Sequence, residues 1–290
     1  MKKAKRFAAL VLAIAMSASL AACSQSSSSS SEAASGASAG TPSSAKAASS
    51  ASSSGAVKTI TDGTLTMSTN AEFEPFEYRD NDKIVGIDVE IANKIADKLG
   101  LELKINDVEF ASLIMELQTN KCDFVAAGMT ATDDRRKNVD FSDPYFDASQ
   151  AIIVPKGSNI KSRTDLNGKN VGVQQGTTGD TFCTNEDGTS DIKVASVKRY
   201  NKGSDAISDL INGRIDAVVI DNFPATKFVQ KNSDKLVKLD DSLTSEQYAI
   251  AVQKGNTALL DQIDEVLKEM KSSGELDQII EKYQSSLTGE

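Results

Sequence analysis

From Val57 to Glu290 the chain switches repeatedly between stretches with a two-residue period and stretches with a period of three to four. A chain that does this settles as a layered α/β structure, because each period exposes one apolar face that a neighbouring layer has to cover. Thr64-Leu-Thr-Met-Ser-Thr69 alternates as a strand, and Lys83–Ile87 reads as a short extended run. Asp88 stands where a helix N-cap belongs. After it Ile91, Ala92, Ile95, Ala96 and Leu99 form a helical stripe that Gly100 ends. Leu101–Ile105 alternates again, Leu113, Ile114 and Leu117 share one face of a helix over Phe110–Gln118, and Asp123–Ala127 reads as a buried strand. A second series follows. Ala151–Val154 and Asn170–Val173 read as strands, and the turn Gln175–Gly179 leads towards a helix. Ala206, Ile207, Leu210 and Ile211 form a stripe closed by Gly213, and Ile215–Ile220 has the unbroken apolar character of a buried strand. Gln247–Val252 is one more strand. A helix bearing Leu259, Leu260, Ile263, Val266, Leu267 and Met270, then another over Leu276–Tyr283, close the chain. Two such series predict two α/β lobes.

The residues before Val57 are of another kind. Lys2, Lys3, Lys5 and Arg6 precede an apolar run, Phe7–Ala22, that is shorter than the ~20 residues a membrane-spanning helix needs. A basic start, a short apolar run and small closing residues predict a secretion signal over residues 1–22. Leu20-Ala-Ala-Cys23 resembles the lipobox of bacterial lipoproteins, which implies that Cys23 carries acyl chains and holds the protein on the outer face of the cell membrane. Ser24–Ala56 contains 16 Ser and 9 Ala in 33 residues. It cannot bury enough surface to offset its ordering entropy and reads as a disordered tether.

Composition narrows the chemistry. With no histidine, neither a Ser-His-Asp nor a Cys-His nucleophile can be assembled, and no His-ligated metal site. A net charge of −9 argues against nucleic acid as a partner. Three cysteines make no disulfide framework. Cys122 and Cys183 fall in different lobes and read as free buried thiols. Neither a phosphate-binding glycine loop nor a metal-ligand cluster is visible, so no cofactor is expected.

Eight strings occur in an order that carries a resemblance. They are Phe73-Glu-Pro-Phe-Glu-Tyr78, Ile84-Val-Gly-Ile-Asp-Val89, Ala127-Gly-Met-Thr-Ala-Thr132 with Arg135, Val139-Asp-Phe-Ser-Asp-Pro-Tyr-Phe146, Asp165-Leu-Asn-Gly-Lys169, Val171-Gly-Val-Gln-Gln-Gly-Thr-Thr178, Gly213-Arg-Ile-Asp-Ala-Val-Val-Ile-Asp221 and Gln247-Tyr-Ala-Ile-Ala-Val252. Together they resemble the family 3 solute-binding proteins, the receptors of polar amino-acid ABC importers. The resemblance implies a two-lobed periplasmic-binding-protein-like fold, two open α/β sheets joined by a two-strand hinge, with the ligand between the lobes. The crossings would fall near Tyr145–Ser149 and Ser245–Ala249. Lobe one would be about 57–146 plus 249–290, and lobe two about 150–245.

The resemblance also implies roles. Arg135 matches the arginine whose guanidinium takes the ligand's carboxylate, a pairing that suits a planar fork of donors. Thr177 and Thr178 match the turn whose N–H groups and hydroxyls finish that carboxylate's shell. Asp221 matches the ammonium-binding aspartate, although on its own it also reads as a helix N-cap. Gly128 and Thr130 match positions offering backbone groups and a hydroxyl. Phe73 and Phe110 match the aromatics flanking the ligand's side chain, and Asn70 and Gln174 match positions at its far end. Because both of these are neutral, an uncharged polar side chain is expected, a leaning that Glu72 or Glu109 nearby could reverse. The expected partners are a free amino acid, an importer's permease and ATPase, and a membrane reached only through the lipid; the protein is expected to be a monomer. Two other functions fit the same fold. One is an enzyme of the cyclic-acid dehydratase kind, which would not need Arg135 and Asp221 together. The other is a ligand-sensing receptor.

Overall fold

The computed structural model describes residues 57–288. The signal-like run, Cys23 and the Ser/Ala segment lie outside them. β1 (Thr64–Thr69) leads into a small antiparallel meander of β2 (Glu72–Phe73), β3 (Glu77–Asp80) and β4 (Lys83–Val85). At Gly86 the backbone takes φ 133°, and a Cβ there would lie 2.1 Å from the Phe76 carbonyl oxygen. Only glycine fits so close an approach. α1 (Ile87–Leu99) follows, with Ile91, Ala92, Ile95 and Ala96 buried as its stripe predicts.

Asp88 corrects the sequence reading. The N-cap of α1 is Gly86, and Asp88 lies inside the first turn, fully buried. Its carboxylate accepts the Gly128 N–H at 2.8 Å and the Tyr145 hydroxyl at 2.8 and 2.9 Å. An acid just after a glycine looks the same in sequence whether it caps a helix or ties a helix to the next sheet.

The chain continues through β5 (Glu102–Asp107), a 3₁₀ turn at Phe110–Ser112, α2 (Leu113–Gln118), β6 (Phe124–Val125), α3 (Asp133–Arg136) and β7 (Val139–Phe141). β8 (Phe146–Ala148) then carries it into β9 (Gln150–Pro155), β10 (Asn170–Gln174), α4 (Thr178–Thr184), β11 (Ser196–Tyr200), α5 (Gly203–Ile211), β12 (Ala217–Asp221), α6 (Asn222–Lys231) and β13 (Leu236–Lys238). β14 (Glu246–Tyr248) returns it to β15 (Ala251–Gln253), α7 (Thr257–Ser273) and α8 (Glu275–Thr288). The single strand expected over Gln247–Val252 is therefore two. β14 pairs with β8, whereas β15 enters the first large sheet, and Ala249 and Ile250 make the step between them.

Two five-stranded sheets result, ordered β5-β1-β6-β15-β7 and β11-β10-β12-β9-β13. In each, three parallel strands are followed by two antiparallel pairings, so that only β15 in one sheet and β9 in the other run against the rest. The antiparallel pair β8–β14 runs between them as the two-strand hinge of a two-lobed α/β fold. Leu65, Met67 and Phe124 fill one sheet's core, and Val171, Val173, Ala217 and Val219 the other's. Each such apolar side chain contributes roughly 1.5–3 kcal/mol, alanine less. Phe76 joins the lobes at the hinge, with its ring 4.9 Å from Phe146, 5.1 Å from Tyr248 and 6.2 Å from Phe223. Cys122 and Cys183 are free and buried, and burial pushes their thiols up to about 11 and about 12.

Candidate functional site

The segments at the carboxyl ends of β1, β5, β6, β10 and β12 bring the ten ligand-site residues named from the sequence to one cavity. Asn70 follows β1, Phe73 lies in β2, and Phe110 opens the 3₁₀ turn after β5. Gly128 and Thr130 follow β6, and Arg135 projects from α3. From the other sheet come Gln174 at the end of β10, Thr177 and Thr178 at the start of α4, and Asp221 at the end of β12. Glu77, on β3, also lines the cavity and was passed over in the sequence. Phe73 and Glu77 are cross-strand partners in the meander, a pairing that the fold reveals and the sequence does not.

The lobes meet across this cavity. Arg135 Nη1 donates to the Thr130 carbonyl at 2.7 Å, and Nη2 reaches the Gly176 carbonyl of the other lobe at 2.9 Å. Its guanidinium lies 5.3 Å from the Phe110 ring centre. Burial pulls the Arg135 pKa down to about 10, against the pull of Glu246 and Asp221, so it stays cationic at neutral pH. Gln174 Nε2 donates to Asn70 Oδ1 at 2.9 Å, a second interlobe bond.

Asp221 occupies the N-cap position of α6 but makes no side-chain cap bond. Its carboxylate accepts the Tyr248 hydroxyl instead. Burial raises the Asp221 pKa to about 7, with Glu246 adding to the rise and Tyr248 opposing it. Glu77 is fully buried, no donor from another residue type reaches either carboxyl oxygen, and burial, followed by the Asp88 carboxylate that faces it and shares a hydrogen bond with it, raises its pKa well above the usual carboxylate range. Glu72 differs, being matched by Lys202 at 2.7 Å.

The threonine hydroxyls at the cavity all have acceptors within the protein. Thr177 donates to the Gln174 carbonyl at 2.8 Å, while Thr130 and Thr178 both donate to Glu246. Glu246 is a further residue the sequence reading missed. It shares the inward face of β14 with Tyr248, two residues on, and that alternation was its only sequence signal.

A cleft between two α/β lobes, with a guanidinium on one wall and a carboxylate at a strand end on the other, defines a two-lobed receptor for a small zwitterionic ligand. Residues 65–286 match the bacterial extracellular solute-binding proteins, family 3, and the chain belongs to that family. It is similar to the arginine-binding extracellular protein ArtP of Bacillus subtilis, 38% identical over 230 residues that cover 78% of this chain and 87% of ArtP. Among solved structures it is similar to an ancestral arginine-binding protein bound to arginine, at 44% identity and TM-score 0.71, covering 76% of this chain and 98% of that one. The same holds for an ancestral arginine-binding protein bound to glutamine, at 43% identity and TM-score 0.71, covering 77% and 98%.

Proposed function

We propose that the protein is the receptor of an amino-acid ABC importer and that its ligand is an α-amino acid with a cationic side chain, arginine first. Glu77 carries the cationic part of this reading. A fully buried acid beside Asp88, on the wall of a ligand cavity, is costly to ionise unless a cation meets it, and a cationic side chain would supply that cation. Arg135 takes the ligand's carboxylate and Asp221 its ammonium. Phe73 and Phe110 flank the aliphatic stem, and Asn70 and Gln174 reach its far end. Two arginine-binding relatives support the choice. The competing reading, an uncharged polar side chain, is supported by the neutral Asn70–Gln174 pair and by the relative bound to glutamine.

Titration calorimetry with arginine, glutamine and cystine separates the two. Arginine is expected to bind tightest, and Glu77→Gln is expected to weaken arginine by roughly 10–100-fold, the worth of a hydrogen bond to a charged group. Glutamine binding should barely change. Tighter binding of glutamine than of arginine would leave the uncharged reading standing.

The proposal takes residues 1–22 as a signal peptide, Cys23 as the lipidated anchor and residues 24–56 as a tether. It assigns 57–146 with 249–290 to lobe one and 150–245 to lobe two. The extracellular character of the family supports export of the chain, and no described helix is long and apolar enough to cross a membrane. We read the protein as a monomer that binds its ligand and hands it on without changing it, in keeping with relatives named as binding proteins.

A further inference from the structure

Glu246 sits on the hinge strand β14, behind the cavity wall, and is the meeting point of hydroxyls from both lobes. Its Oε2 accepts from Thr130 Oγ1 at 2.6 Å and from Thr178 Oγ1 at 2.8 Å, and its Oε1 accepts from Thr244 Oγ1 at 2.6 Å. The network is anchored on Gln150, whose N–H donates to Thr244 Oγ1 at 2.9 Å and whose Nε2 donates to Thr178 Oγ1 at 3.0 Å. Glu246 is 8% exposed, so water does not compete freely for these bonds.

A hydroxyl has one proton and two lone pairs. Once Thr130 and Thr178 have given their protons to Glu246, what they can present to the cavity they line is an acceptor. Gln150 already uses one lone pair of Thr178. A carboxylate cannot be bound by an acceptor, but an ammonium group can.

We infer that Glu246 is a positioning residue, which from the hinge turns the Thr130 hydroxyl, together with that of Thr178, into acceptors for the ligand's α-ammonium group beside Asp221. This rests on the amino-acid reading given above. It deepens that reading by assigning the ligand's carboxylate to Arg135 and backbone N–H groups alone. Thr130 comes from one lobe, Thr178 from the other and Glu246 from the crossing between them, so the acceptor pair exists only where the lobes meet.

The test is calorimetry on the wild-type protein and on Glu246→Gln, whose neutral amide keeps the shape but removes the charge that draws both hydroxyl protons. The probes are arginine, arginine amide, which keeps the ammonium and loses the carboxylate, and the deamino acid, which does the reverse; weak binders are followed by displacement. Glu246→Gln is expected to weaken arginine and its amide by about tenfold, within the range of a hydrogen bond to a charged group, and to leave the deamino acid within about twofold. Combining it with Thr130→Val and Thr178→Val should cost no more than those two substitutions together, because Glu246 acts through those two hydroxyls. Equal losses for all three probes, a loss confined to the carboxylate-bearing ones, or unchanged arginine binding would each overturn the inference while leaving the receptor reading in place. If the wild type prefers another amino acid, the amide and deamino forms of that compound serve. If it binds no amino acid, the receptor reading falls and takes this inference with it.

Discussion

The third parallel strand of one sheet, β6, runs out into Gly128, whereas its counterpart in the other sheet, β12, ends on Asp221. Gly128 has φ 52°, and a Cβ there would lie 2.6 Å from the Phe73 ring, so this strand end offers backbone and lets an aromatic close over it. The Asp221 end offers a buried carboxylate. The two sheets share one strand order and one pattern of parallel and antiparallel neighbours, so topology decides that both ends face the ligand. What each end does there is decided by single residues. Neither lobe alone holds a full set of charges, because Arg135 belongs to the first and Asp221 to the second.

The sharpest way to break this division is Asp221→Asn. Removing one partner of a buried ion pair costs about 3–5 kcal/mol, and calorimetry should show affinity falling roughly 10²–10³-fold or more. Asp240→Asn, outside the cavity, should change it hardly at all. Binding within about threefold of wild type in Asp221→Asn would remove the ammonium site from the second lobe.

Acidity separates the lobes next. Asp221 is raised to about 7 and Asp88 to about 6, mainly by burial, against about 4 for an unfolded aspartate. Between pH 4 and 7 the folded protein therefore holds more protons than the unfolded one, and ligand-free stability falls as pH rises through that window. Melting temperature should drop by several degrees between pH 5 and pH 8. In Asp221→Asn the slope should flatten. Affinity runs the other way: the ammonium needs ionised Asp221, so binding should weaken by up to about tenfold per unit as pH falls below 7. A melting temperature that climbs from pH 5 to pH 8 would contradict the stability half.

The smallest effect belongs to the outer rim. Glu74 faces Lys231 at 2.7 Å and Lys227 at 3.3 Å across the lobes. Lys231 is the exposed partner, and pairs with such a member contribute about 0–1 kcal/mol, so Lys231→Gln should weaken binding by no more than about fivefold, and less at high salt. A hundredfold loss would mean that closure depends on the rim and not on the ligand.

These predictions concern residues of unequal visibility in the sequence. The sheets were legible because Ile91, Ile95, Val171 and Val219 repeat with the periods that burial demands. Eight of the ten residues that gather at the cavity stand in the quoted strings, whereas Asn70 and Phe110 lie outside them. Glu77, Asp88 and Glu246 were not legible. Each is a carboxylate whose meaning comes from what tertiary structure brings to it: a second acid, Asp88, for Glu77, an amide and a tyrosine for Asp88, and hydroxyls from two lobes for Glu246. The step between β14 and β15 was hidden too, because hinge and sheet strand share one apolar run.

The two buried thiols bear on how such a chain survives outside the cell. Burial pushes the thiols up to about 11 and about 12, so both stay protonated at neutral pH. Disulfide exchange proceeds through the thiolate, so the folded molecule is close to inert toward oxidants and mixed disulfides that would trap a looser one. Cys122 sits beside β6 in the first sheet and Cys183 in α4 against the second. Each half of the molecule thus carries its own silent label, which an alkylating reagent reads only when that half comes apart.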